Sequence, residues 1–146
     1  MSSPIKIVQT LLINLGLGSV VGASQDWPIY VAFLPDEYDE VISVNSTSGF
    51  KDGRIMATGE QIIHPGIQIR VRGNPLDYDT PYQKIKAIQL ALDIQRRVSV
   101  AISSDEVYIV HNASLQSDIL YLGVDGEGSR ARHSFTINYV VTISSE

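Results

Sequence analysis

Six residues, Ile67-Gln68-Ile69-Arg70-Val71-Arg72, alternate apolar and polar without a break. Successive side chains of a β-strand point to opposite faces, so this run buries one face and leaves the other polar only if it is a strand. The end of the chain repeats the pattern: Phe135, Ile137, Tyr139, Val141 and Ile143 share one face of a strand over 135–143. Half-buried strands need an apolar cover, and two segments with helical period supply it. Ile5, Val8, Leu12 and Leu15 form one stripe, with Ser3 as cap, Pro4 at the first helical position and Gly16 and Gly18 as the stop. Tyr82, Ile85, Ile88 and Leu92 form the other. Asp79 or Thr80 caps this second helix, Pro81 opens it, and Gln83, Lys84, Lys86, Gln89, Asp93, Arg96 and Arg97 cover its outer side.

The remaining segments read as short strands and turns. Residues 27–34 and 41–44 are aromatic and β-branched, and flank the acidic turn 36–40 as a hairpin. Residues 45–54 are almost all turn formers, which predicts a mobile loop. Short β pieces follow at 55–58 and 62–63, then a sharp turn at His64-Pro65-Gly66. After the loop 73–78 and the second helix come strands at 99–103, 107–111 and 119–123, and a loop over 124–131. The order is αβββαββββ, give or take a strand. Short connections favour hairpins, so the fold class is α+β: a mainly antiparallel or mixed sheet packed against two helices, sandwich-like. The chain has 146 residues, which suits one domain over 1–146 with one core.

Composition narrows the chemistry. There is no cysteine, so disulfides, thiol nucleophiles and thiolate metal sites are excluded. The net charge is -5, without the basic excess of a nucleic-acid binder. No apolar run approaches the roughly 18 residues that span a membrane, and no basic leader precedes 5–17, so the chain reads as a soluble intracellular product. His64, His111 and His133 stand in no metal-ligand spacing. The cluster 36–40 lacks the glycine and spacing of a calcium loop and reads as a solvated turn. Gly16-Leu17-Gly18 ends a helix, whereas a phosphate loop precedes one, and Gly126-Glu127-Gly128 joins two strands. No G-x-S-x-G elbow occurs. Arg96 and Arg97 suit the dipole of a helix C-terminus. Arg70 and Arg72 share the polar face of one strand, where arginine is either solvated or forks onto a neighbour's carboxylate.

The block Thr58-Gly59-Glu60-Gln61-Ile62-Ile63-His64-Pro65-Gly66, continued by the 67–72 strand and by Tyr78-Asp79-Thr80-Pro81-Tyr82-Gln83-Lys84-Ile85-Lys86-Ala87-Ile88, resembles the tail terminator family of long-tailed bacteriophages (siphophages). Members are also described as tail completion or minor capsid proteins. Tyr121-Leu122-Gly123 with Phe135-Thr136-Ile137-Asn138-Tyr139 resembles the family's closing hairpin, and the N-terminal helix fits as well. Residues 36–54 depart most, and nothing is carried onto them.

The resemblance implies a non-enzymatic virion protein, assembled in the host cytoplasm and placed at the head–tail interface. It implies a hexameric ring on the last layer of the tail tube protein, offering a surface to the head completion or connector protein. DNA passes through the lumen without sequence-specific binding, and an acidic lumen would let it slide. No cofactor, metal or membrane is implied. On this reading Gln68, Arg70 and Arg72 are candidates for contacts between subunits. The 45–54 segment, through Ser46, Phe50, Lys51 and Arg54, is the candidate partner-contacting loop. Two alternatives remain. One is another head–tail joining protein, a completion or stopper protein. The other is a small-molecule-binding α+β domain or hydrolase, which requires a pocket lined by one of the three histidines beside a carboxylate.

Overall fold

The computed structural model describes residues 2–21, 26–35, 38–54 and 61–145. The elements are α1 (Pro4–Asn14), β1 (Ile29–Val31), β2 (Val41–Arg54), β3 (Gln61–Pro75), α2 (Asp79–Asp93), β4 (Val98–Ala101), β5 (Val107–Asp125), a 3-10 turn (Gly128–Arg130) and β6 (Arg132–Ser145). They form an α+β fold whose one sheet has the order β1-β2-β3-β6-β5-β4. The β1–β2 pair is parallel and the other four pairs are antiparallel. The sheet curls, so that α1 touches both β1–β2 and β4 from opposite edges, while α2 lies along β3, β5 and β6. Among the described residues no helix is long and apolar enough to cross a membrane.

Both strongly periodic strands and both helices stand where their patterns place them. Ile67, Ile69 and Val71 of β3 and Phe135, Ile137, Tyr139 and Ile143 of β6 are buried toward the helices. They meet Ile7, Val8, Leu11 and Leu12 of α1 and Ile85, Ile88 and Leu92 of α2. Burying each such side chain contributes about 1.5–3 kcal/mol. The α1 stripe is rotated from the expected one: Ile5 and Leu15 pack only at the margin of the core. Pro4 stands at the first turn, and Gly16, at φ +75, closes the helix. At the start of α2 the cap comes earlier than expected. Asp77, not Asp79 or Thr80, accepts the Thr80 amide at 3.2 Å, and the Thr80 hydrogen bonds hold its carboxyl below the usual carboxylate range.

Elsewhere the structure differs from the sequence reading. The expected strand 27–34 shrinks to Ile29–Val31, because Trp27 and Ala32 on either side adopt left-handed backbone, at φ 60 and 68. It does not form a hairpin with 41–44 but runs parallel to it, Ile29 beside Ile42. Residues 45–54 are not a loop. They continue β2, paired with β3 from Asn45 opposite Gln68 to Arg54 opposite Gln61. Cross-strand partners override the turn propensity of Ser, Asn and Gly. The turn expected at His64-Pro65-Gly66 is likewise strand. Thr47 pairs with Gly66 and Phe50 with His64, so Ser48 and Gly49 together face Pro65 in a bulge. Proline lacks an N–H and fits where the ladder is interrupted. The pieces 107–111 and 119–123 are one strand, β5, whose register shifts at four places. Of the expected β pieces, 55–58 lies outside the described residues.

Tyr139 ties β6 to α2. Its hydroxyl donates toward Asp93 Oδ1 at 3.3 Å, with the Gln89 carbonyl at 3.4 Å. Burial first, and the Asp93 carboxylate second, push this phenol far above the ordinary tyrosine range. A folded-state pKa raised above the unfolded value of about 10 contributes stability below that pH and loses it as pH rises. Wild type should therefore lose stability above pH ~10 more steeply than Tyr139→Phe. The variant should be weaker by about 1 kcal/mol at neutral pH. Chemical denaturation at pH 7 and at alkaline pH checks both; parallel alkaline losses would refute the assignment.

Candidate interaction surface

The face of the sheet turned away from the helices is polar. In register across it lie Val41, Arg72 and Ser134; Ser43, Arg70 and Thr136; and Asn45, Gln68 and Asn138. The three residues expected to contact other subunits are thus brought onto one face, but they are not equivalent. Gln68 and Arg70 are half-buried, whereas Arg72 is 1% exposed.

Arg72 is engaged within the chain. One guanidinium nitrogen donates to Asp125 Oδ2 at 3.2 Å, and the other to the carbonyls of Pro35 and Tyr38. Arg132 joins it, with Asp39 at 3.3 Å and Asp125 at 3.4 Å. The two arginines pin the segment after β1 across the outer face of β3 and β6. Two residues of the acidic cluster, Asp39 and Glu40, belong to built contacts: Glu40 is raised by burial and by the nearby charges of Asp26 and Asp77, against the pull of Lys84. Lys84 itself is lowered by burial and sits over Trp27, 5.4 Å from the ring centroid. Residues 36 and 37 of that cluster lie outside the described residues.

Arg70 differs from its neighbour in making no ion pair among the described residues, and its Nε is buried without a hydrogen-bond partner. A buried donor left unmet costs about 1–3 kcal/mol. A carboxylate from another molecule would recover that cost, since guanidinium forks match carboxylates.

Of the partner-contacting candidates, Ser46 is exposed on β2. Phe50, Lys51 and Arg54 lie further along the same strand, opposite His64, Ile63 and Gln61. These residues are therefore the far end of β2, an arm lying on β3, which itself stays paired with β6 as far as Ile63 opposite Ile143.

A second surface was not visible in the sequence. Tyr78 packs against Tyr82 (6.5 Å between ring centroids), Tyr121 (5.6 Å), His133 (5.4 Å) and Phe135 (5.0 Å). The phenol of Tyr121 hydrogen-bonds His133 Nδ1 at 2.7 Å. Tyr78 and Tyr121 remain over 40% exposed, and Leu76, Leu120, Leu122 and Val124 of the same chain segments are more than 40% exposed too. Tyr121, opposite Phe135, is on the helix side of the sheet and Leu120, opposite Thr136, is on the other; exposed aromatic residues such as Tyr78 and Tyr121 are enriched at protein–protein contact centres. The signal in sequence was weak: Tyr121-Leu122 reads as an ordinary strand until its pairing leaves both side chains outside.

Each histidine hydrogen-bonds a hydroxyl: His64 with Thr142 at 3.1 Å, His111 with Ser144 at 2.8 Å, and His133 with Tyr121. Among the described residues no group of three His, Asp or Glu is placed to hold a metal. The cleft of about 260 Å³ beside Trp27 and that of about 410 Å³ across Thr47, Gln116 and Asn138 are lined by no histidine.

The fold is a curled mixed sheet packed against two helices, with a polar outer face and an exposed aromatic patch. Residues 11–143 match the bacteriophage tail terminator protein family. The chain belongs to that family, and is a structural component of the phage tail and so of the virion. No individual curated protein matches it significantly.

Proposed function

We propose that copies of this chain close into a hexameric ring on the end of the tail tube, stop its elongation and present a surface to the head completion or connector protein. The observation that carries this reading is the family match over residues 11–143. The buried, unpartnered Nε of Arg70 supports a contact between copies on the outer sheet face, with Gln68 beside it. Arg72 contributes indirectly, by fixing the segment that borders that face. The arm carrying Ser46, Phe50, Lys51 and Arg54 reaches a neighbouring molecule, and the patch around Tyr78 and Tyr121 docks another virion protein. The function is mechanical, with no bond made or broken. DNA threads the ring, and the chain's net charge of -5 disfavours its retention there. Assembly takes place in the host cytoplasm.

Negative-stain microscopy of the purified protein with headless tails tests the proposal. Caps of one ring per tube are expected, with tube length then fixed; binding to tailless heads alone would favour a stopper protein instead. Arg70→Glu should abolish the caps, because it places a carboxylate where one must be received. Its fold should stay within about 1 kcal/mol of wild type, as for other half-exposed polar changes. Caps formed normally by Arg70→Glu would remove Arg70 from the interface.

A further inference from the structure

We infer that neighbouring copies join by continuing the sheet, the free edge of β2 in one copy pairing antiparallel with the free edge of β5 in the next. The inference rests on the ring reading above and specifies its contact. β1 protects β2 only at Ile42–Val44, and β4 protects β5 only at Val107–Val110. These guards sit at opposite ends of the strands. Level with Asn138, Tyr139 and Val140 of β6, the sheet is four strands wide, β2-β3-β6-β5, and among the described residues both of its edges are open.

Edge N–H and C=O groups need water or another strand. Bulges normally blunt such edges, and most of β5 is bulged. One regular run survives on each side: Asn45, Ser46 and Thr47 on β2, and Asn112, Ala113, Ser114 and Leu115 on β5. Neither run contains proline or lysine. Runs this short bind weakly in pairs, which keeps free copies apart and leaves closure to the ring.

Two further features agree. The two edges differ, so their contact is head-to-tail and propagates around an axis. β2 and β5 run in opposite directions within one sheet, so the trans pair is antiparallel.

Through the ladder Thr47–Gly66–Val140–Ser114, Thr47 and Ser114 stand at one height on one face. Disulfides form only between Cα atoms about 4.4–6.8 Å apart, the spacing of facing residues on paired strands. The chain has no cysteine of its own. The test is Thr47→Cys combined in turn with Asn112→Cys, Ser114→Cys and Ser117→Cys, which brackets the stagger between copies. Each is oxidised on tails it has capped and run on a non-reducing gel. The expected result is loss of monomer into a covalent ladder for at least one double variant, and none for the single variants. Capped tails with no ladder in any double variant would overturn the edge pairing and leave the ring standing. A dimer from Ser114→Cys alone would mean like edges meet, and would overturn it too. Failure of wild type to cap tails would overturn both readings together.

Discussion

Arg72→Met should lower the unfolding free energy by about 3 kcal/mol, the largest loss expected from any side chain of the outer sheet face. Arginine ordinarily keeps its charge in water, yet Arg72 is 1% exposed. What makes this tolerable is its set of acceptors: Asp125 and the backbone carbonyls of Pro35 and Tyr38. Methionine recovers the packing of the stem and none of those bonds. Two carbonyls would then lie against an apolar side chain, and the segment after β1 would lose its hold on β3. For a chain of this length the loss corresponds to about 6–12 °C in Tm. Asp125→Asn should cost only about 1 kcal/mol, because that carboxylate is 44% exposed and water replaces the lost pair. Arg70→Met, two residues away on the same face, should change stability by less than about 1 kcal/mol. Urea denaturation of the three variants decides; similar losses for Arg70→Met and Arg72→Met would show that the contacts of Arg72 add nothing to stability.

These two arginines also mark the limit of what the sequence discloses. Alternation from Ile67 to Arg72 correctly assigns which residues face the helices, because side-chain direction in a strand is a local property. It cannot assign exposure on the other face. That depends on residues 35 and 38, far away in sequence, crossing over Arg72 and stopping short of Arg70. The helices were legible for the same local reason, through proline at the start of each and a period near 3.6. The arm was not. Residues 45–54 are rich in turn formers, and what makes them a strand is the ladder offered by Gln61–Pro75. Parallel pairing of β1 was hidden too, since nothing in Ile29–Val31 distinguishes a parallel neighbour from a hairpin. The aromatic patch escaped because Tyr78, Tyr121, His133 and Phe135 come together only when α2 settles on β5 and β6. Within the candidate surface, residue types were readable and their neighbours were not.

Gly49→Ala should release the arm while leaving the helices and the centre of the sheet folded. A methyl group at this position would lie 2.0 Å from the carbonyl oxygen of His64, 2.7 Å from the Gly66 nitrogen and 2.9 Å from the Pro65 carbonyl carbon. All three are backbone atoms of the opposing strand, so no rotamer change removes the clash. Gly66 meets the bulge from the other side, where a Cβ would be 2.6 Å from the Ser48 oxygen. The two chains are pressed together at the only bulge that faces Pro65, and each lacks a side chain for that reason. Either the arm stays paired under strain of about 3 kcal/mol or it opens. Opening is the expected outcome, because pairing beyond the bulge is already interrupted between Lys51 and Arg54. Hydrogen exchange should then quicken at amides 50–54 and stay slow at 67–71 and in α2. Gly16→Ala is the control: its φ of +75 makes alanine costly by about 1 kcal/mol, but the space around it is open, so the arm should be untouched. If the arm reaches a neighbouring molecule, Gly49→Ala should also fail to cap tail tubes while Gly16→Ala succeeds. Native exchange rates throughout the arm of Gly49→Ala would show that the two strands have room to part, and would remove the bulge as the latch that holds the arm in place.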